Sequence, residues 1–154
     1  MRRAAFLAPL GLLLAFGPGC DGNDNQTTFS AAPLAGTSEV PARTTAAGGT
    51  ASFTAEATTV SFSLELRSIS GVTGAHLHSG APGSSGPVRV DLYTGPVTGS
   101  VSGKLVEGTF TEAHLRGITL GQLLNEMSNG TAYVNVHTTA FPDGEVRAQV
   151  RREE

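Results

Sequence analysis

Val60-Ser61-Phe62-Ser63-Leu64-Glu65-Leu66-Arg67 alternates apolar and polar residues without a break. A period of two puts Val60, Phe62, Leu64 and Leu66 on one face of a β-strand and Ser61, Ser63, Glu65 and Arg67 on the other. One dry face and one wet face is the signature of an antiparallel sheet. The same pattern spreads outward. Ala51, Phe53, Ala55 and Ala57 alternate with Ser52, Thr54 and Glu56 on the N-terminal side, with a turn expected at Thr58-Thr59. On the C-terminal side, Ser70-Gly71 breaks the run before a strand over Val72 to His78. Strands are further expected at Phe29 to Ala35, Pro87 to Tyr93, Val101 to Phe110 (a weaker pattern), Tyr133 to Thr138 and Glu145 to Arg151. Phe141-Pro142-Asp143-Gly144 reads as a tight turn before the last of these.

One segment has a different period. Leu120, Leu123, Leu124 and Met127 fall at i, i+3, i+4 and i+7, with Thr119 placed as N-cap and Gly130 placed to end a short helix. About eight short strands punctuated by turns, with one helix, predict an all-β antiparallel fold, a Greek-key sandwich or barrel.

Composition narrows the function classes. The 154 residues carry 20 glycines, no tryptophan and a net charge of −3. A leader of residues 1–19 would remove Arg2 and Arg3, leaving 8 basic against 13 acidic residues, a net of −5. No basic footprint for nucleic acid is present. Cys20 is the only cysteine, so no internal disulfide can form.

The N-terminus gives that cysteine a use. Met1-Arg2-Arg3 is a charged start, Ala4 to Phe16 is apolar but too short to span a bilayer, and Gly17-Pro18-Gly19 leads into Cys20. This resembles a bacterial lipoprotein signal, although Gly17 and Pro18 stand where Leu and a small residue are usual. The resemblance implies cleavage after residue 19, an acylated Cys20 (palmitate-type chains), a tether over residues 20–28, and a domain over residues 29–151 held at the membrane on the extracytoplasmic side of the cell envelope. Several acyl chains would anchor the protein stably, where one gives marginal binding.

Four further blocks resemble one family. They are Leu34-Ala-Gly-Thr-Ser-Glu-Val-Pro41, Ala75-His-Leu-His-Ser-Gly80 with Gly86-Pro-Val88, Tyr133-Val-Asn-Val-His-Thr138, and Phe141-Pro-Asp-Gly-Glu-Val-Arg-Ala-Gln149. Their order and content are similar to the CHRD domain, over roughly Phe29 to Arg151. The match departs at Ala42, where a second proline is common, and at Ala148, where Gly is usual. The resemblance implies an extracytoplasmic β-rich module with a non-enzymatic binding or structural role, whose partner is a protein or a cell-surface polymer.

His76 and His78 share one strand face opposite Leu77, and His137 lies on a strand of its own. Two readings compete. In one, the three imidazoles bind zinc or copper, with Glu145 as a fourth ligand or as an orienting partner. In the other, His76, His78, Asn135, Glu145 and Arg147 form a polar network that pins the last hairpin to the central strand. His-x-His on a strand is also similar to copper–zinc superoxide dismutase, but no bridging-histidine cluster, electrostatic loop or disulfide pair accompanies it. His114 is expected to be solvated. Ser79, Ser84 and Ser85 have no nucleophile elbow around them, and Asp21 and Asp24 lack the spacing of a calcium loop.

Overall fold

The computed structural model describes residues 26–154. The leader, Cys20 and most of the expected tether lie outside the described residues. The strands are β1 (Thr27–Ala35), β2 (Gly48–Ala55), β3 (Thr59–Ser70), β4 (Val72–Ser79), β5 (Val88–Thr94), β6 (Ser100–Thr111), β7 (Ala132–Thr138), β8 (Val146–Gln149) and the two-residue β9 (Arg151–Arg152). One α-helix, α1 (Leu120–Ser128), precedes β7.

Every strand pairing is antiparallel, in the order β5-β4-β7-β8-β1-β2-β3-β6, with β9 beside β1. The end strands β5 and β6 approach each other, so the sheet curls into a nearly closed barrel. The expected all-β antiparallel fold with one short helix is the observed one.

Alternation explains which side of each strand is dry. Val60, Leu64 and Leu66 are buried while Ser61, Glu65 and Arg67 are exposed; Phe62 is half-buried and packs on the core's edge beside Phe110. Leu77, Val90, Val134, Val136 and Val146 meet them in one interior. Full burial of each such side chain contributes about 1.5–3 kcal/mol.

Three expected boundaries shift. β1 opens at Thr27, inside the stretch read as tether, because Thr27 and Thr28 pair with Ala55 and Thr54. The β2–β3 turn spans Glu56 to Thr58, closed by Glu56 N–H donating to Thr59 O, so Ala57 lies outside the strand. The closing strand divides at Val150, whose N–H donates to Ala132 O before β9 turns to β1.

The helix forms as its caps predict. The Thr119 hydroxyl accepts from Gln122 N–H, and the Gln122 side chain accepts from Thr119 N–H, a reciprocal capping box. Leu120, Leu123 and Met127 are buried against the sheet, which supplies most of the stability a nine-residue helix lacks alone. Gly130, at φ +70, ends it.

Candidate functional site

β4 runs between β5 and β7, so its outward face sits between two strands that each contribute polar side chains. Leu77 points into the barrel and is fully buried; His76 and His78 point out of it. On β7 the inward residues are Val134 and Val136, leaving Tyr133, Asn135 and His137 outward. Register sets His78 opposite Tyr133, His76 opposite Asn135, and Gly74 opposite His137. His137 therefore lies diagonal to His76 across a position without a side chain. One ring nitrogen from each of His76, His78 and His137 falls within 4.8 Å of the others.

Two loops cover this face, and each fixes one ring. His78 Nδ1 donates to Gly86 O at 2.9 Å. His137 Nδ1 donates to Pro142 O at 2.8 Å. A carbonyl can only accept, so both Nδ1 atoms carry a proton, and in the neutral form of each ring Nε2 presents a lone pair. The carbonyl of Gly86 is brought in by a glycine that tolerates no side chain: a Cβ there would stand 1.9 Å from Ser79 O. Pro142 O is placed by the expected tight turn, in which Gly144 N–H donates to Phe141 O.

His76 completes the logic. Its Nδ1 stands 3.0 Å from His137 Nε2. Since that Nε2 is a lone pair, His76 Nδ1 is the donor and His76 Nε2 is bare. Asp91, opposite His76 on β5, places Oδ1 3.7 Å from that Nε2 and is ion-paired with Arg116 through Oδ2. His78 Nε2, on a residue only 7% exposed, has no hydrogen-bond partner among the described residues.

Burial controls the charge of these rings. It pushes His76 down to about 4, aided by the neighbouring His137 and opposed by Asp91. Burial also lowers His78, against the hydrogen bond to Gly86 O. Both rings are therefore neutral near pH 7 and offer lone pairs.

Behind His78 stands a stack. The Tyr133 ring lies parallel to the His78 ring at 4.7 Å, and the Arg147 guanidinium covers the other face of Tyr133 at 3.4 Å. Arg147 is 2% exposed and donates to Ala81 O and Ser84 O. Those carbonyls belong to the loop that holds Gly86, so Arg147 reaches His78 both through Tyr133 and through the loop.

The other residues singled out from the sequence fall in different places. Asn135 lies beside His78, and its Oδ1 is also without a partner among the described residues. Glu145 lies outside the imidazole group. Its carboxylate accepts from Thr45 and Thr138, both at 2.7 Å, which corrects its expected role as ligand or orienting partner. The polar network accordingly divides in two: Glu145 with the two threonines, and Arg147 with Tyr133 and the 81–84 carbonyls. His114 is exposed, its Nδ1 accepting from Thr111 N–H as a local cap. Ser79 donates to Glu126 and accepts from Arg89, with no imidazole among its hydrogen-bond partners.

Three residues went unassigned by sequence reasoning. Asp91 has no local pattern that marks it, yet it faces His76 across a strand pair. Tyr133 contributes its ring, stacked on His78, while its hydroxyl accepts from Gly86 N–H at 3.2 Å. Glu39, in the Thr-Ser-Glu-Val-Pro block, is 8% exposed and packs under Gly144 and beside Asn135. Its position inside one of the four family-like blocks was the available signal.

No curated protein sequence matches the chain, and no solved structure does. A family model described as "CHRD domain" matches residues 30–150. That span runs from β1 to the end of the closing hairpin and contains every residue of the imidazole group and its surroundings. The four blocks noted in the sequence thus converge on one outward face of the barrel, and the chain belongs to the CHRD domain family.

Proposed function

We propose that this CHRD module binds a single transition-metal ion, zinc or copper, through His76 Nδ1, His78 Nε2 and His137 Nε2. The observation that carries the reading is the convergence of the three imidazoles, one ring nitrogen of each within 4.8 Å of the others, on a face where His78 is buried. Metal-ligating histidines usually donate their second N–H to a carbonyl or carboxylate. His78 and His137 already do so, and Asp91 stands ready for His76. Ligands about 2 Å from a tetrahedral ion stand about 3.3 Å apart, close to the 3.0 Å between His76 Nδ1 and His137 Nε2. Loading requires the His76 proton to pass from Nδ1 to Nε2, where Asp91 accepts it.

The role is binding rather than catalysis, outside the cytoplasm, on a chain anchored by lipid at Cys20. The leader pattern of residues 1–19 supports the anchor. No helix among the described residues is long and apolar enough to cross a membrane. A protein or cell-surface polymer is the partner the family suggests. Mass analysis of the membrane-fraction protein should find acyl chains on Cys20, and Cys20→Ala should release it.

One observation favours a second, metal-free role. The His76–His137 hydrogen bond and the His78–Tyr133–Arg147 stack tie β4, β7 and β8 together without an ion. Removing metal from the purified protein separates the two. Binding predicts about one ion per chain and a melting temperature lowered by chelation, since a ligand at 100 times its Kd stabilises by about 2.7 kcal/mol. A brace predicts substoichiometric metal, no chelator effect, and destabilisation by His137→Ala alone.

A further inference from the structure

We infer that the triad selects copper, and holds it in the monovalent state in preference to any divalent ion. This rests on the metal-binding reading and narrows it. Three neutral imidazoles bring no negative charge, so a bound ion keeps its full formal charge. The surroundings do not compensate it. Asp91 is the carboxylate facing the group, and its second oxygen is paired with Arg116. Glu145, in the closing hairpin, is turned to Thr45 and Thr138, and Glu39, beneath Gly144 of the same hairpin, sits where burial disfavours its charged form. Arg147, fully buried, adds a positive charge on the far side of the Tyr133 ring.

Charge then decides between ions. Repulsion from a fixed cation grows in proportion to the ion's charge, and the cost of taking an ion out of water grows with its square. A divalent ion on this face suffers both more than a monovalent one. Imidazole nitrogen suits copper as well as zinc, so charge and coordination number are left to discriminate. Cuprous ion is also content with three ligands, and three is what the site offers. His78 is buried under the Gly80–Gly86 loop, so any fourth ligand must enter beside the half-buried His76 and His137.

The test uses the purified protein under anaerobic conditions. Cu(I) is titrated in competition with a chromophoric cuprous chelator, and Zn(II) in competition with a zinc indicator. One Cu(I) per chain, bound at least about 100-fold more tightly than Zn(II), is expected. The variant Arg116→Gln removes an exposed cation and leaves Asp91 unpaired. It should strengthen Zn(II) binding more than Cu(I) binding and narrow the gap several-fold. Stoichiometric Zn(II) binding as tight as Cu(I) would overturn this inference and leave the metal site standing. An unchanged gap in Arg116→Gln would overturn the charge argument. Failure of every ion to bind would overturn the site itself.

Discussion

Glu39 gives the account its sharpest thermodynamic test. Its carboxyl is buried beneath Gly144 and beside Asn135, and Oε1 has no hydrogen-bond partner among the described residues. Burial raises its pKa from 4.5 to about 7, outweighing the pull of Arg147 and Arg43. Between those values the folded chain holds a proton that the unfolded chain has lost. The stability this proton contributes is fully present below the unfolded value, falls as pH rises through the window, and is gone above the folded pKa. A shift from 4.5 to about 7 corresponds to about 3 kcal/mol at 1.36 kcal/mol per unit. His76 acts in the opposite sense. Its pKa is lowered to about 4, so its contribution is present above the unfolded value and lost as pH falls. The wild-type profile mixes the two, and the substitution Glu39→Gln isolates one, because the amide keeps the shape and cannot ionise. Urea unfolding at pH 4.5, 6 and 8 is the assay. The variant should match wild type at pH 4.5 and exceed it by about 3 kcal/mol at pH 8. A stability difference that does not change with pH would refute the assignment of a protonated, buried Glu39.

Other perturbations test separate contacts. Asp91→Ala removes the acceptor waiting for His76 Nε2, and should weaken metal binding by about 10- to 100-fold, by competition titration, with little change in melting temperature. Gly144→Ala places a methyl group 2.6 Å from Glu39 Oε1 at φ +127, and should cost about 2 kcal/mol or more in denaturant unfolding; a neutral result would mean the hairpin moves freely. Arg147→Met keeps bulk over Tyr133 but strands the carbonyls of Ala81 and Ser84, at about 1–3 kcal/mol in thermal unfolding. It should also loosen His78, seen as lower metal affinity.

Local pattern carried much of this fold. The Val60–Arg67 alternation, the Leu120–Met127 spacing and the Thr119 cap each depend on neighbours a few residues away. β6 read weakly because it is an end strand with Phe110 as its one fully buried side chain, so little apolar alternation marks it. The site was half legible. That His76 and His78 share a face follows from period two alone. That Asp91 faces His76 depends on strand order and on register shifts either side of His76 and Leu77, which no local pattern encodes. Glu145 misled because it follows the turn that serves His137, while its carboxylate turns to Thr45, 100 residues away in sequence.

The histidine ring nitrogens themselves test the central claim most directly. Long-range 1H–15N spectra should show His76, His78 and His137 all protonated at Nδ1 before metal is added. One equivalent of diamagnetic Zn(II) should then shift the Nδ1 signal of His76 and the Nε2 signals of His78 and His137, move the His76 proton to Nε2, and leave His114 untouched. Spectra in which the three rings keep their tautomers and shifts, or in which His114 responds first, would contradict a metal site on this face.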